Sequence, residues 1–195
     1  MIEKILTPAP TNFVGAFYLD NTVVCDELIS HFNNCSSQHQ EGRINQRIDK
    51  ALKDSTDLVL HTHDNTPAWQ LYQYELNKVL DSYTEKFPRS IQCAPWGIKE
   101  VTNIQYYKPG AGYHSWHSER LSGNFPSALR NLVFMTYLND VTDAGETEFD
   151  HQQSKIQPEK GLTLIWPADW THYHRGIPSL TQPKYIITGW LSYLS

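Results

Sequence analysis

Side chains two residues apart on an extended segment project to the same side. The tripeptide His117-Ser118-Glu119 can therefore offer an imidazole nitrogen and a carboxylate oxygen to a single metal ion. Two histidines and one carboxylate on one face of a metal suit non-haem iron(II) and leave the opposite positions open for chemistry. Taken alone the tripeptide is weak evidence. Nine His and 21 acidic residues in a 195-residue chain make about one such pattern expected by chance, and a second stands at His39-Gln40-Glu41. The ordinary alternative for either is a solvated His beside a surface Glu. Context separates them: His39 lies in the polar stretch NNCSSQHQEGR, whereas His117 follows a strand-like run and a Gly-containing turn, IQYYKPGAGYHSWHSER. Only the second can be held rigidly at the edge of a core.

A third ligand must come from elsewhere, and the segment DWTHYHRGIPSLTQPKYIITGWLSYL offers both His172 and His174 just before a strand-like run. Within that run, period-2 alternation puts Lys184, Ile186, Thr188 and Trp190 on one face and Tyr185, Ile187 and Leu191 on the other. A buried ammonium costs several kcal/mol unless it is paired, so Lys184 either snorkels to the surface or meets an anion inside. A rival metal pattern, His61-Thr62-His63-Asp64, resembles the start of a binuclear hydrolase site, but its Asp follows His63 directly and no second acidic-His pair follows.

The elements that must position these residues are read from periodicity. After a Pro-rich start (Pro8, Pro10), residues 12–19 read as an early strand and 23–33 as a short amphipathic helix opened near Asn21 or Thr22. Residues 34–64 are polar and poorly periodic, which predicts loops with a short helical piece at 44–53. From Thr66 the apolar positions Trp69, Leu71, Tyr72, Leu76, Val79, Leu80 and Tyr83 follow helical spacing as far as Pro88. Short β-rich runs then succeed one another at 99–107, 131–139, 146–149, 161–166 and 183–193. Helices first and strands later predict helical support on one face of an antiparallel sheet or sandwich. The expected organisation is one domain over 1–195, with supporting helices and early strands in about 1–98 and a motif-bearing β core in about 99–195.

Six Trp, 11 Tyr and seven Phe favour strands and pockets over a helical bundle. The formal net charge is −5 and no basic run occurs, so no nucleic-acid partner is expected. Cys25, Cys35 and Cys93 make an odd count without close pairing, which reads as reduced thiols in a cytoplasmic setting. No signal-like or membrane-spanning apolar run is found.

With these residues assembled, HSE…H-x9-K with YLND and GETEF between them resembles the 2-oxoglutarate and iron(II)-dependent oxygenases of the prolyl 4-hydroxylase-like type. The resemblance spans roughly residues 99–193 and implies a double-stranded β-helix core, also called a cupin-like jelly roll. It implies His117, Glu119 and His174 as catalytic metal ligands; Lys184 stands ten residues beyond His174, and that offset selects His174 over His172. Lys184 and Tyr137 would fix the C5 carboxylate of 2-oxoglutarate, with Tyr107 and Trp190 lining the co-substrate pocket. The implied cofactors are Fe(II), 2-oxoglutarate as co-substrate and ascorbate as reductant. The implied reaction converts 2-oxoglutarate to succinate and CO2 while a C–H bond is hydroxylated. A peptidyl proline is the favoured substrate, with a free amino acid or other small molecule second. Two departures stand out: Glu119 where most relatives have Asp, and one extra residue between Tyr107 and His117. Arg120 and Arg175 are candidates to orient an acidic group, against the ordinary reading of surface arginines. Substrate contacts are expected around 34–64, near His61 and His63. The non-enzymatic alternative is a β-sandwich module that keeps a metal only as structure.

Overall fold

The computed structural model describes residues 1–4, 12–44, 47–120 and 122–194; Pro8 and Pro10 lie outside them. Two helices stand on the outside of the β structure. In α1 (Val23–Asn34) the buried residues Val24, Cys25, Leu28 and Phe32 form one stripe. In α2 (Pro67–Lys86) Trp69, Tyr72, Leu76, Val79, Leu80 and Tyr83 recur every three or four residues and are all buried, which is why this segment is helical. Proline at the first helical position starts α2 where no N–H is needed. Glu75 is buried among these apolar neighbours, yet its carboxylate accepts from the Asp20 and Asn21 amides and pairs with Lys78 at 2.9 Å, so α2 is tied to the entry of α1.

The strands are β1 (Gly15–Tyr18), β2 (Gln40–Glu41), β3 (Thr56–Leu60), β4 (Trp96–Ile98), β5 (Thr102–Tyr107), β6 (Tyr113–His117), β7 (Arg130–Tyr137), β8 (Thr147–Phe149), β9 (Ser154–Ile156), β10 (Leu162–Pro167), β11 (His174–Gly176) and β12 (Lys184–Tyr193). The major sheet runs β1-β10-β7-β12-β5-β3-β2, with β4 also paired to β12, and the minor sheet runs β6-β11-β8-β9. All these pairs are antiparallel. The result is a mostly β, jelly-roll-type core with helices on one face.

Alternation along the strands divides the apolar residues between two cores. From β7 and β12, Leu132, Phe134, Ile187 and Leu191 face the helices. Val133, Met135, Tyr137 and Ile186 face the other way, meeting Phe149 and Ile156 of the minor sheet. Gly189 is required where β12 passes beneath the first core, because a Cβ there would lie 2.5 Å from the Phe134 ring. The inner faces of β5, β3 and β2 line a cavity together with residues of β6. They carry polar residues there, including Asp57 and Gln105, which stand opposite each other in register.

Two expectations need correction. The described residues of 44–53 form turns and isolated bridges rather than a helical piece; residues 45 and 46 lie outside the description. The span 34–64 is not all loop, since it contains β3, which pairs with β5 along its whole length, and the short β2. In β3 Leu58 and Leu60 enter the core while apolar Val59, beside Asp57, faces the cavity, so the run 58–60 lacks the alternation that would mark a strand.

Candidate active site

Strand β6 ends on His117 and β11 begins on His174, and these two residues are paired across the minor sheet. Glu119 follows two residues beyond β6, where the chain turns and the Glu119 and Arg120 amides both donate to the Ala168 carbonyl. The ligand atoms of His117, Glu119 and His174 lie within 4.8 Å of one another. Nε2 of each imidazole is 3.5 Å from Glu119 Oε1. No other group of three such side chains converges in this way among the described residues.

The protonation of the two rings follows from their other nitrogens. His117 Nδ1 is 2.9 Å from the Ser115 carbonyl and His174 Nδ1 is 2.9 Å from the His172 carbonyl. A carbonyl only accepts, so each Nδ1 carries a proton and a neutral ring presents a lone pair at Nε2. Two lone pairs and a carboxylate oxygen facing one another repel unless a cation stands between them. This donor set therefore fits a divalent metal, in the tautomer that a metal-bound histidine needs. Burial lowers His174 below the ordinary imidazole value. Tyr113 stacks on His117 at 3.8 Å with an 11° tilt, fixing the ring plane.

The second carboxylate oxygen has its own partners. Trp190 Nε1 donates to Glu119 Oε2 at 2.9 Å, and Arg130 stands 3.7 Å away. Arg130 also stacks 3.6 Å over the Trp190 ring, donates to the Glu119 carbonyl, and pairs with Glu100 through two hydrogen bonds of 2.9 and 2.6 Å. Nothing in the sequence singled out Arg130, since its role comes from neighbours 30 and 60 residues away.

The triad and Lys184 line one cavity of about 730 Å³. Lys184 is 4% exposed. Its ammonium donates to the Gly145 carbonyl at 2.8 Å and the Ile177 carbonyl at 3.3 Å, and it lies 5.2 Å from the centre of the Tyr107 ring. Gly145 has φ +84°, in the left-handed region that favours glycine. Among the described residues no carboxylate comes within 4.0 Å of the ammonium. Burial lowers Lys184 to about 8, only partly offset by the charge of Glu146. Tyr137 is fully buried; its hydroxyl bonds Thr147 Oγ1 at 2.6 Å and the Ile156 carbonyl at 3.1 Å. The Tyr107 hydroxyl donates to Gln105 at 2.7 Å, and burial pushes it well above the ordinary tyrosine range. A buried ion pair, Lys53–Asp57 at 2.9 Å, lines the same cavity beside Tyr113.

Other candidates lie elsewhere. His172 is buried and bonded to the Asn12 carbonyl and Thr171 Oγ1, and His39 stacks on Phe32 and contacts its carbonyl. His61 and His63 stack on each other and do not line the cavity, although Arg43 and Ile44 of the same region do. Arg120 pairs with Asp169 away from the cavity. Arg175 lines the cavity with its guanidinium engaged by Glu148 at 2.7 Å.

Residues 102–192 match the family model of the 2OG-Fe(II) oxygenase superfamily. That match covers the β-rich part of the chain, and the fold is similar to that of prolyl 4-hydroxylases. Superposition on a Pseudomonas putida prolyl-4-hydroxylase gives a TM-score of 0.73 at 14% identity, covering 93% of this chain and 94% of that one. A Trichoplax adhaerens prolyl hydroxylase in complex with a hypoxia inducible factor peptide fragment gives 0.72 at 14% identity, covering 94% and 84%. By sequence, the chain is 22% identical over 185 residues to human procollagen-lysine,2-oxoglutarate 5-dioxygenase 1. That match covers 94% of this chain, which spans about a quarter (24%) of the relative's length. No helix among the described residues is long and apolar enough to cross a membrane.

Proposed function

We propose that this chain hydroxylates a C–H bond in a reaction that consumes O2 and 2-oxoglutarate, with iron(II) held by His117, Glu119 and His174. The observation that carries the reading is the pairing of two unmet charges in one cavity. Three donors converge at one point of the cavity, and a buried ammonium faces the same space with no carboxylate within 4.0 Å among the described residues. When bound, iron(II) supplies the oxidising chemistry, as 2-oxoglutarate becomes succinate and CO2 and C–H becomes C–OH. The protein's own part is geometric and electrostatic. The Ser115 and His172 carbonyls hold the imidazoles in the ligating tautomer, and Tyr113 fixes the plane of His117. Lys184, with Tyr137 and Tyr107 beside it, selects a dicarboxylate of the length that spans from the triad. Met135, Ile186 and Trp166 line the cavity between them and limit the room for water.

The substrate we favour is a peptidyl proline in an exposed segment. Support comes from the fold shared with prolyl hydroxylases and from the polar inner faces of β5 and β3, which continue beside the triad where a chain segment could lie. A peptidyl lysine is the second reading, favoured by the sequence match to a procollagen-lysine dioxygenase. Ascorbate is proposed as the reductant that keeps the iron in the ferrous state. The test is succinate formation by the purified protein with iron(II), ascorbate and 2-oxoglutarate, followed by mass spectrometry of proline- and lysine-containing peptides for a gain of one oxygen. Succinate no higher than in a metal-free control, from folded and iron-loaded protein, rejects the enzyme reading. Hydroxylation confined to lysine or to a small molecule replaces the substrate.

A further inference from the structure

We infer that Trp190 is a positioning residue whose indole N–H ties up one oxygen of Glu119, so that this long carboxylate meets the metal through the other oxygen alone. The inference rests on the reading of His117, Glu119 and His174 as metal ligands. A glutamate has one more rotatable bond than an aspartate, and its two oxygens can chelate a metal together. Such chelation would occupy a coordination position that the co-substrate or O2 requires. In this chain the choice between the oxygens is already made. Oε1 lies 3.5 Å from both imidazole nitrogens, whereas Oε2 receives the Trp190 N–H at 2.9 Å. Trp190 is in turn held in place: the Arg130 guanidinium sits over its ring at 3.6 Å, and Arg130 is clamped by Glu100 through two hydrogen bonds. Arg130 also donates to the Glu119 backbone carbonyl, so a single guanidinium orients both the ligand's backbone and the indole that holds its side chain. The extra methylene of Glu119 is thus matched by a donor on β12, two strand positions beyond Thr188 on the cavity face.

The test uses the whole chain and reads metal binding rather than turnover. Trp190→Phe keeps a ring under Arg130 but removes the donor, and outer hydrogen-bond partners of metal ligands typically contribute about 10–100-fold in affinity. Titration of the metal-free protein with Mn(II) should show weakening of that order. The Co(II)-loaded variant should show altered ligand-field absorption as the carboxylate becomes free to chelate. Glu119→Asp, too short to reach the indole, should also weaken Mn(II) binding, and its cost should largely vanish in the Trp190→Phe background. Should Trp190→Phe fail to fold, the indole proton resonance of Trp190 in the metal-free wild type gives the answer, because it must move when Glu119 becomes Ala. Unchanged Mn(II) affinity in folded Trp190→Phe, additive costs in the double variant, or an indole resonance indifferent to Glu119 overturns the proposal. Wild-type protein that takes up no Mn(II) instead rejects the metal-site reading on which it rests.

Discussion

The two ends of the cavity are finished to different degrees. At the triad, each polar atom that does not face the metal position already has a protein partner: both Nδ1 atoms reach carbonyls, and Glu119 Oε2 reaches Trp190. At the other end, Lys184 brings a positive charge into a buried place where, among the described residues, its ammonium contacts two neutral carbonyls and an aromatic face. On the proposed reading, the triad end is prepared by the fold and needs only the ion, whereas the lysine end is completed only by an anion. Losses at the lysine end should therefore leave metal affinity largely intact.

The largest effects are expected at the prepared end. His117→Ala, Glu119→Ala and His174→Ala should each abolish tight Mn(II) or anaerobic iron(II) binding, because direct coordination has no substitute. His172→Ala should keep the metal and lose stability instead, by about 1–3 kcal/mol, since the Asn12 carbonyl would be left without its donor. His39→Ala, whose ring packs on Phe32, should likewise keep the metal. Metal titration together with thermal unfolding checks this. A His172→Ala protein that binds no metal, with His174→Ala still binding, would reverse the assignment.

At the unfinished end, breaking a desolvated charge pair costs about 3–5 kcal/mol, so Lys184→Met should raise the Kd for 2-oxoglutarate by roughly two to three orders of magnitude. Met keeps most of the stem volume, which limits repacking. Metal affinity should stay within a few-fold of wild type. Charge-transfer absorption of the anaerobic iron(II) protein reports the first quantity, and a variant with wild-type 2-oxoglutarate affinity would remove Lys184 from the pocket.

The same lysine sets a pH dependence with a definite sign. Its pKa in the folded protein is lowered to about 8, below the ordinary lysine value of 10.5. Between these values the unfolded chain binds the proton that the folded chain has released, so ligand-free stability rises with pH across this window. The rise is lost as pH falls back through about 8. Binding of 2-oxoglutarate needs the ammonium, so its affinity should fall about tenfold per pH unit above 8. Denaturant unfolding and ligand titration at pH 7.5 to about 9.5 test both slopes. Lys184→Met should flatten them; slopes that persist in the variant belong to another group.

The unequal finish of the two ends also governs how much was legible beforehand. Lys184 announces itself because a charged residue interrupts an otherwise apolar strand face, and α2 and β12 are readable because each carries its own period. His117, Glu119 and His174 converge through β6 and β11, strands of five and three residues whose existence depends on partners far along the chain. Strands of three to five residues carry little periodicity, and β4, β6, β9 and β11 lack the TEF-like pattern that marks β8. Strand β3 is hard to read for a different reason: Leu58, Val59 and Leu60 are apolar in succession, so the core-facing alternation of Leu58 and Leu60 is masked by Val59 on the cavity side. Arg130 had no signal at all, because stacking on Trp190 and pairing with Glu100 exist only in the folded sheet.

Tyr137 gives the smallest expected effect and the finest probe of the unfinished end. Unlike the ammonium, its hydroxyl is already satisfied, by Thr147 and the Ile156 carbonyl. To serve an incoming carboxylate it must give up one of these, so the net gain is the difference between two hydrogen bonds of which one is charge-assisted. Net contributions run at about 0.5–1.5 kcal/mol for neutral bonds and 1.5–3 for bonds to charged groups. That difference, about 1–1.5 kcal/mol, corresponds to roughly a five- to fifteen-fold weaker Kd for 2-oxoglutarate in Tyr137→Phe. The variant also strands the Ile156 carbonyl and Thr147 hydroxyl in a buried place, so unfolding should show a loss of about 1–2 kcal/mol without ligand. In the Lys184→Met background the Tyr137→Phe effect on affinity should shrink, because a carboxylate no longer drawn to the ammonium is not held within reach of the hydroxyl. Independent, fully additive effects on 2-oxoglutarate binding would mean that Tyr137 supports the wall of the cavity and takes no part in holding the anion.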